Sequence, residues 1–302
     1  MGVIVESLED SYFPTLMNYV PMIGGRYLIA TRGERTGGVG QFATVHDLDT
    51  HTHQVFTIRA PGGATLDDGG PQTRQWQVYG GAVWQCYLYA TNKIGAIAIK
   101  PDGSYTSHAL TGYTPFWGIG GLVLGGRLLA VVYTGSYYKL YSYDVTNPTG
   151  AMVDLGQMGA SATPVGSGSD GTNFYVTGGG KIRKWTSFTS TSYTDYTITH
   201  PIVGDGWWDA PSGVIGWATT DGYLAFLDVS TMTVDYVANP YPQPAWGALT
   251  SDSAGVWHWI GHNNVYSYTP STGTFRTATV TFPVTNGVTG FRYGAFVGAI
   301  GS

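Results

Sequence analysis

Residues 265–275 read VYSYTPSTGTF. Val265-Tyr266-Ser267-Tyr268 is an extended run rich in apolar and aromatic residues, which reads as a strand. Thr269-Pro270-Ser271-Thr272-Gly273 then breaks the pattern with turn residues, and Thr274-Phe275 resumes it. The stretch is a β-hairpin. Working outward, the same unit recurs in FATVHDLDTHTHQVFTI (42–58), GAIAIKPDGSYTSHAL (95–110), KLYSYDVTNPTGAMVDL (139–155), KIRKWTSFTSTSYTDYTI (181–198) and YLAFLDVSTMTVDYV (223–237).

The first turn residues are Asp47, Lys100, Asp144, Thr186, Asp228 and Thr269. They are spaced by about 40 residues, more between the first two, where GGATLDDGGPQTRQ (62–75) adds a glycine-rich loop. Two further strand-like runs separate successive hairpins. The nearer ones are RYLIATR, VWQCYLYA, RLLAVVY, NFYVTG, VIGWATT and VWHWIG, and the farther ones are QWQVYGG, FWGIGGLVL, TPVGSGS, GWWDAP, AWGALTS and FRYGAFVG. Four short strands per repeat of this length make the blade of a β-propeller. The expected fold is therefore all-β: six blades of four antiparallel strands, with seven blades as the alternative. The C-terminal strand FRYGAFVGAI (291–300) has no partners after it, whereas the first blade lacks an inner strand. Pairing the two closes the ring and removes its open edges and is preferred, the alternative being NYVPMIG (18–24) as the first blade's inner strand. Residues 1–24 then form an N-terminal extension, and residues 25–302 one propeller domain.

Composition agrees with strands and turns. Charged residues are only 11 % of the 302, against 45 Gly, 22 Tyr and 10 Trp. The residues that fill exposed helical faces are scarce. A net charge of −5 with no Lys/Arg block argues against a nucleic-acid partner. No apolar run is long enough for a membrane helix, and MGVIVESLEDSYF lacks the basic and apolar regions of a secretory signal, so on these grounds a cytoplasmic setting is expected. Cys86 is the one cysteine and lies in an apolar strand, where a thiol is ordinarily buried and inert.

The hairpins resemble those of known propellers. VYSYTPSTGTF is similar to the kelch-type hairpin, with LYSYDVTNPTG and LAFLDVSTMT as looser versions. SDGTNFYV (169–176) resembles the second-strand start of kelch and quinoprotein-type blades. The kelch double glycine occurs irregularly, as Gly24–Gly25, Gly120–Gly121 and Gly125–Gly126. The Trp-Asp ending of another large propeller family is missing, and SGSDGTNF and TSDSAGVW only echo the sialidase Asp-box. The signal-less, Gly/Thr/Tyr-rich chain also resembles, by composition, the propellers of bacteriophage tails and fibres. That resemblance implies a structural protein of a virion, acting through protein–protein contacts with other subunits.

The inner strands open with aromatic residues, among them Trp76, Trp117, Trp207, Trp208, Trp246 and Tyr293. Corresponding positions of successive blades form a ring, so these side chains define either an aromatic rim or inter-blade packing. A rim with Asp209 beside it suits a glycan or host receptor, a lectin-like alternative. In GDGWWDAPSG (204–213) the two tryptophans are adjacent, and adjacent strand residues face opposite ways, so both rings cannot share one core. Asp205, Asp209, Asp221 and Asp252 are the candidate carboxylates of an Asp-dependent glycosidase or lyase. The only glutamates are Glu6, Glu9 and Glu34, outside the repeats or at their start. His108, His200, His258 and His262 stand beside no nucleophile motif. His51 and His53 have a metal-like spacing, with Asp49 and His46 near but no clustered third ligand evident. The reading is a non-catalytic protein with no cofactor and no metal.

Overall fold

The computed structural model describes residues 27–32, 41–50, 52–63, 76–89, 93–112, 117–124, 127–133, 138–144, 146–147, 151–158, 166–170, 172–186, 192–241, 249–252, 254–261, 264–279 and 296–300. The proposed N-terminal extension, residues 1–24, lies outside them.

Every repeated run becomes a strand. The first sheet contains β1 (Tyr27–Arg32), β2 (Gln41–Asp47) and β3 (His53–Ile58). The second contains β4 (Trp76–Tyr79), β5 (Ala82–Tyr89), β6 (Lys93–Ile99) and β7 (Tyr105–Ala109). The third contains β8 (Trp117–Leu124), β9 (Arg127–Tyr133), β10 (Tyr138–Asp144) and β11 (Val153–Met158). Sheet 4 holds β12 (Gly166–Ser169), β13 (Phe174–Gly178), β14 (Lys181–Trp185) and β15 (Thr194–Thr197). Sheet 5 holds β16 (Ile202–Asp209), β17 (Val214–Thr219), β18 (Tyr223–Asp228) and β19 (Thr233–Ala238). Sheet 6 holds β20 (Thr250–Ser251), β21 (Trp257–Gly261), β22 (Asn264–Thr269) and β23 (Thr274–Thr279). The last strand, β24 (Phe296–Ile300), joins the first sheet.

The result is six four-stranded antiparallel sheets, each winding outward in chain order except the first. There β24 pairs with β1, from Tyr27↔Ile300 to Thr31↔Phe296, and gives the sheet the order β24-β1-β2-β3. The first strand of each sheet touches that of the next: β4 meets β8, β8 meets β12, β12 meets β16 and β16 meets β20. Strand β24 touches both β20 and β4, so the succession closes on itself. Among the described residues the only helical piece is a 3-10 turn at Pro61–Gly63, and no helix is long and apolar enough to cross a membrane.

The outer hairpins share one device. Asp47, Asp102, Asp144 and Asp228 each turn a carboxylate oxygen back to accept the N–H two residues on, at 2.8–2.9 Å. A short polar side chain closes its own turn in this way, which explains why the hairpin turns are rich in Asp, Ser and Thr. Four residues past the first turn residue, Gly273 has φ 65° and Met232 has φ 59°. The left-handed conformation costs a residue with a Cβ about 1–2 kcal/mol. At Met232 the side chain offsets this cost by packing between sheets 4 and 5, with Lys184 Nζ 3.7 Å from its sulfur.

The core lies between the sheets. One cluster runs from Tyr27, Leu28 and Ile29 of β1 to Trp257 and Trp259 of β21 and includes Trp207. Another, between sheets 4 and 5, includes Tyr175, Ile182, Ile215 and Trp217. Each large apolar side chain fully removed from water contributes about 1.5–3 kcal/mol.

Candidate functional site

The strand carrying GDGWWD is bulged. Ile202 and Val203 of β16 face Thr219 and Ala218 of β17, but the next pair is Trp207↔Gly216. Residues 204–206 are thus partly surplus to the ladder, and the bulge re-aims the side chains beyond it. Gly206 is required there. A Cβ at Gly206 would lie 2.4 Å from Cε2 and Nε1 of Trp217, and one at Gly168 of β12 would lie 2.9 Å from the same indole. Trp217 fills this space, is fully buried, and donates its Nε1–H to the Ser167 carbonyl at 3.1 Å. It wedges sheet 5 against sheet 4.

After the bulge the two tryptophans part. Trp207 is 7 % exposed and belongs to the cluster containing Trp257 and Leu224. Trp208 is half-buried and packs with Met232 and Val234 in the cluster between sheets 4 and 5. The pleat sends them to opposite sides of one sheet.

Asp209, which ends β16, is 6 % exposed. Its Oδ2 accepts the Ser212 hydroxyl, and its carbonyl accepts the Gly213 N–H at 3.0 Å. Its Oδ1 accepts the Ser251 hydroxyl of sheet 6 at 3.2 Å. This carboxylate ties the turn of one sheet to the inner strand of the next.

Two other aspartates hold the same place, directly after the first strand of their sheets. Asp170 accepts N–H bonds from Thr172 at 2.8 Å and Asn173 at 2.6 Å, and its Oδ2 accepts the Tyr175 hydroxyl at 2.6 Å. Asp252 accepts from Ala254 N at 2.9 Å and Val256 N at 3.1 Å, while its Oδ2 meets His258 Nε2 at 2.9 Å. In both, one oxygen shapes the turn and the other reaches a ring on the second strand. Burial pushes the Asp170 carboxyl up, but its N–H and hydroxyl donors outweigh burial and hold it below the usual range. Burial, reinforced by the Asp170 carboxylate, pushes the Tyr175 phenol well above its ordinary value. The recurring aspartate at 170, 209 and 252 was a readable sequence signal. Its tie from Asp209 to Ser251 was not, because Ser251 lies in another repeat.

A second polar group lies at the opposite end of sheet 5. His200, between β15 and β16, places Nδ1 2.7 Å from Asp221 Oδ2 in the β17–β18 turn. The His200 ring centroid is 4.0 Å from that of Tyr223 and 4.6 Å from that of Tyr236. Slight burial raises the Asp221 carboxyl, and the His200 bond lowers it to a net value below the usual range.

The structure does not gather the sequence-predicted rim at one level. Trp76 opens β4 opposite Gln85, and Trp117 opens β8 opposite Tyr133. Each lies at the end of its strand away from the hairpin turn to the next strand. Trp207 and Trp208 lie two pairs and one pair from their own turn, so Trp207 is within one position of Trp76, three pairs from its turn, and Trp117, six pairs away, stands apart. The bulge and a longer first strand put them at the strand's end, where the sequence pattern placed them at its start. Trp246, Tyr293 and His51 lie outside the described residues. Among the described residues no three His, Cys, Asp or Glu side chains cluster to hold a metal ion.

A closed succession of four-stranded antiparallel sheets, each with one strand against the inner strands of its neighbours, is a β-propeller. No protein-family model matches the chain, and no curated protein matches its sequence. Among solved structures it is similar to a chain of a nidogen/laminin complex, with 12 % identity, a TM-score of 0.63, and 91 % of this chain and 98 % of that one covered. It is also similar to a structural-genomics protein of unknown function from Bacteroides thetaiotaomicron, with 10 % identity, a TM-score of 0.54, and 90 % and 83 % covered. At these identities the likeness carries the fold alone.

Proposed function

We propose that this β-propeller, with its six sheets as six blades, is a non-catalytic module that acts by binding other proteins. The observation that carries this reading is how two of the four candidate carboxylates are used. Asp209 and Asp252 are 6 % and 4 % exposed, and both are occupied by turn and inter-strand hydrogen bonds. A glycosidase pair needs two carboxyl groups facing a substrate across open space. The nidogen/laminin chain supports the reading by analogy, since its structure is that of a complex between proteins.

The finer reading is a bacteriophage virion protein of the tail or fibre, with residues 1–24 as the assembly arm. The 11 % charge content supports it, because surfaces poor in Lys and Glu resemble interface more than free surface. Sedimentation of the full chain and of a chain lacking residues 1–16 tests it. The expected outcome is an assembly larger than the 32.3 kDa monomer that shrinks on truncation. A stable monomer, unchanged by truncation, rejects it.

A further inference from the structure

Sheet 5 differs from the other sheets in charge, and its outer edge is open. Residues 185–275 contain seven aspartates and not one lysine or arginine. Three of these lie along the outer strand β19. Asp228 stands at the turn that starts it, Asp235 is exposed on it, and Asp221 (43 % exposed) lies in the turn whose Gly222 carbonyl accepts the Asn239 N–H just past its end.

The edge itself is regular. The β18–β19 ladder runs unbroken from Tyr223↔Ala238 to Asp228↔Thr233. Among the described residues no strand pairs with the outer side of β19. Such an edge offers a row of backbone donors and acceptors about 20 Å long. Three other outer strands carry features that β19 lacks, whereas β3 and β7 also pair without a break. The ladder to β11 is broken by a bulge near Gly156, and Lys139 pairs with Asp154 on it. Strand β15 has four residues, and Lys181 and Arg183 neutralise its Asp195, each at 3.0 Å. Strand β23 carries Arg276.

We propose that the outer edge of β19 receives an extended, Lys- or Arg-bearing segment of a partner protein, added as a fifth strand to sheet 5. Backbone pairing supplies the generic attraction, and the exposed Asp235, on a sheet with no Lys or Arg of its own, selects the charge of the incoming strand, with Lys184 of sheet 4 confined to the turn at Met232 and His200 to Asp221. The same charge disfavours a second copy of this chain, since two such edges would set Asp against Asp. The proposal rests on the protein-binding reading above and adds the chemistry of the partner.

The test uses the full chain and a labelled, end-capped nine-residue peptide that alternates Lys with Thr and Val. Two controls replace every Lys by Glu, or the central Val by Pro to remove a ladder N–H. Binding is read by fluorescence anisotropy, and its location by amide exchange. The expected result is that the Lys peptide binds and protects residues 233–238. The Glu and Pro peptides bind at least tenfold more weakly. Asp235→Lys weakens the Lys peptide at least tenfold, and Asp154→Lys in sheet 3 leaves it unchanged. Failure of the Lys peptide to bind, equal binding of either control, indifference to Asp235→Lys, or protection elsewhere overturns the proposal. The sedimentation experiment reads the N-terminal segment and not this edge, so the two readings fail separately.

Discussion

The Ser251 hydroxyl of sheet 6 reaches 3.2 Å to the Asp209 carboxylate of sheet 5, and both residues are buried. It is a direct polar tie between neighbouring sheets, as is the Trp217 Nε1–H bond to the Ser167 carbonyl. Removing the acceptor leaves the buried Ser251 hydroxyl unsatisfied, which costs about 1–3 kcal/mol. Asp209→Ala is expected to lower stability by about that amount in urea denaturation, and Asp209→Asn by less, because the amide oxygen still accepts one bond. An Asp209→Ala chain as stable as wild type overturns the structural role.

Glycine at 216 is a packing requirement. A Cβ there would stand 2.3 Å from the Trp257 ring, so the sheet 5–sheet 6 interface depends on its absence. Overfilling a packed site costs about 1–3 kcal/mol. Gly216→Ala is expected to destabilise by that much, and Trp257→Leu in the same chain to recover part of the loss. A double-mutant cycle measures the coupling. Additive effects would show that the two residues do not share this contact.

Much of this architecture was legible in the sequence. The hairpins declare themselves through extended apolar and aromatic runs and Asp/Ser/Thr turns, as at Asp228-Val229-Ser230, and the pairing of β24 with β1 follows from a last strand without partners. The position of Trp207 and Trp208 did not follow. Alternation gives the face of a residue but not its height along the strand, and the Gly204–Gly206 bulge shifts that height. Inter-blade partners were equally hidden. Nothing local in VIGWAT shows that Trp217 fills the space left by Gly206 and Gly168. Met232 even replaces the glycine that its turn conformation favours, for the sake of a contact with another sheet.

Acid should loosen sheet 4 through Asp170. Its folded pKa is depressed, so its contribution to stability is complete above the unfolded value near 3.8. It is lost as pH falls below that value and through the folded one. Tyr175→Phe removes the hydroxyl that Oδ2 accepts at 2.6 Å. The Asp170 carboxyl should then titrate at higher pH, and stability should fall away earlier on acidification. NMR titration of the Asp170 carboxyl and melting curves between pH 5 and pH 2 track both effects, pH values being chosen to bracket the carboxylate range of about 3.9. An acid limb identical in wild type and Tyr175→Phe contradicts the coupling. The phenol gives the opposite limb. Its raised folded value keeps Tyr175 neutral in the native state while the unfolded chain ionises near 10, so stability declines as pH rises beyond that point.

The ring closes through five residue pairs between β1 and β24. Deleting residues 296–302 takes away the first sheet's inner strand and leaves the edge of β1 open. It also removes the strand that touches β20 and β21 of sheet 6 and β4 and β5 of sheet 2. Because β24 touches three sheets, its loss should act on the whole ring and not on one blade. The truncated chain is expected to melt at lower temperature, with reduced cooperativity, and to aggregate through the exposed β1 edge. A synthetic peptide of residues 291–302 supplied in excess should raise the melting temperature again, by the ordinary linkage between binding and stability. A peptide with Pro in place of Gly298, which lies opposite Ile29, should restore less if backbone pairing with β1 is what closes the ring. A truncated chain that melts like the full one would show instead that the ring is held by the remaining sheets alone.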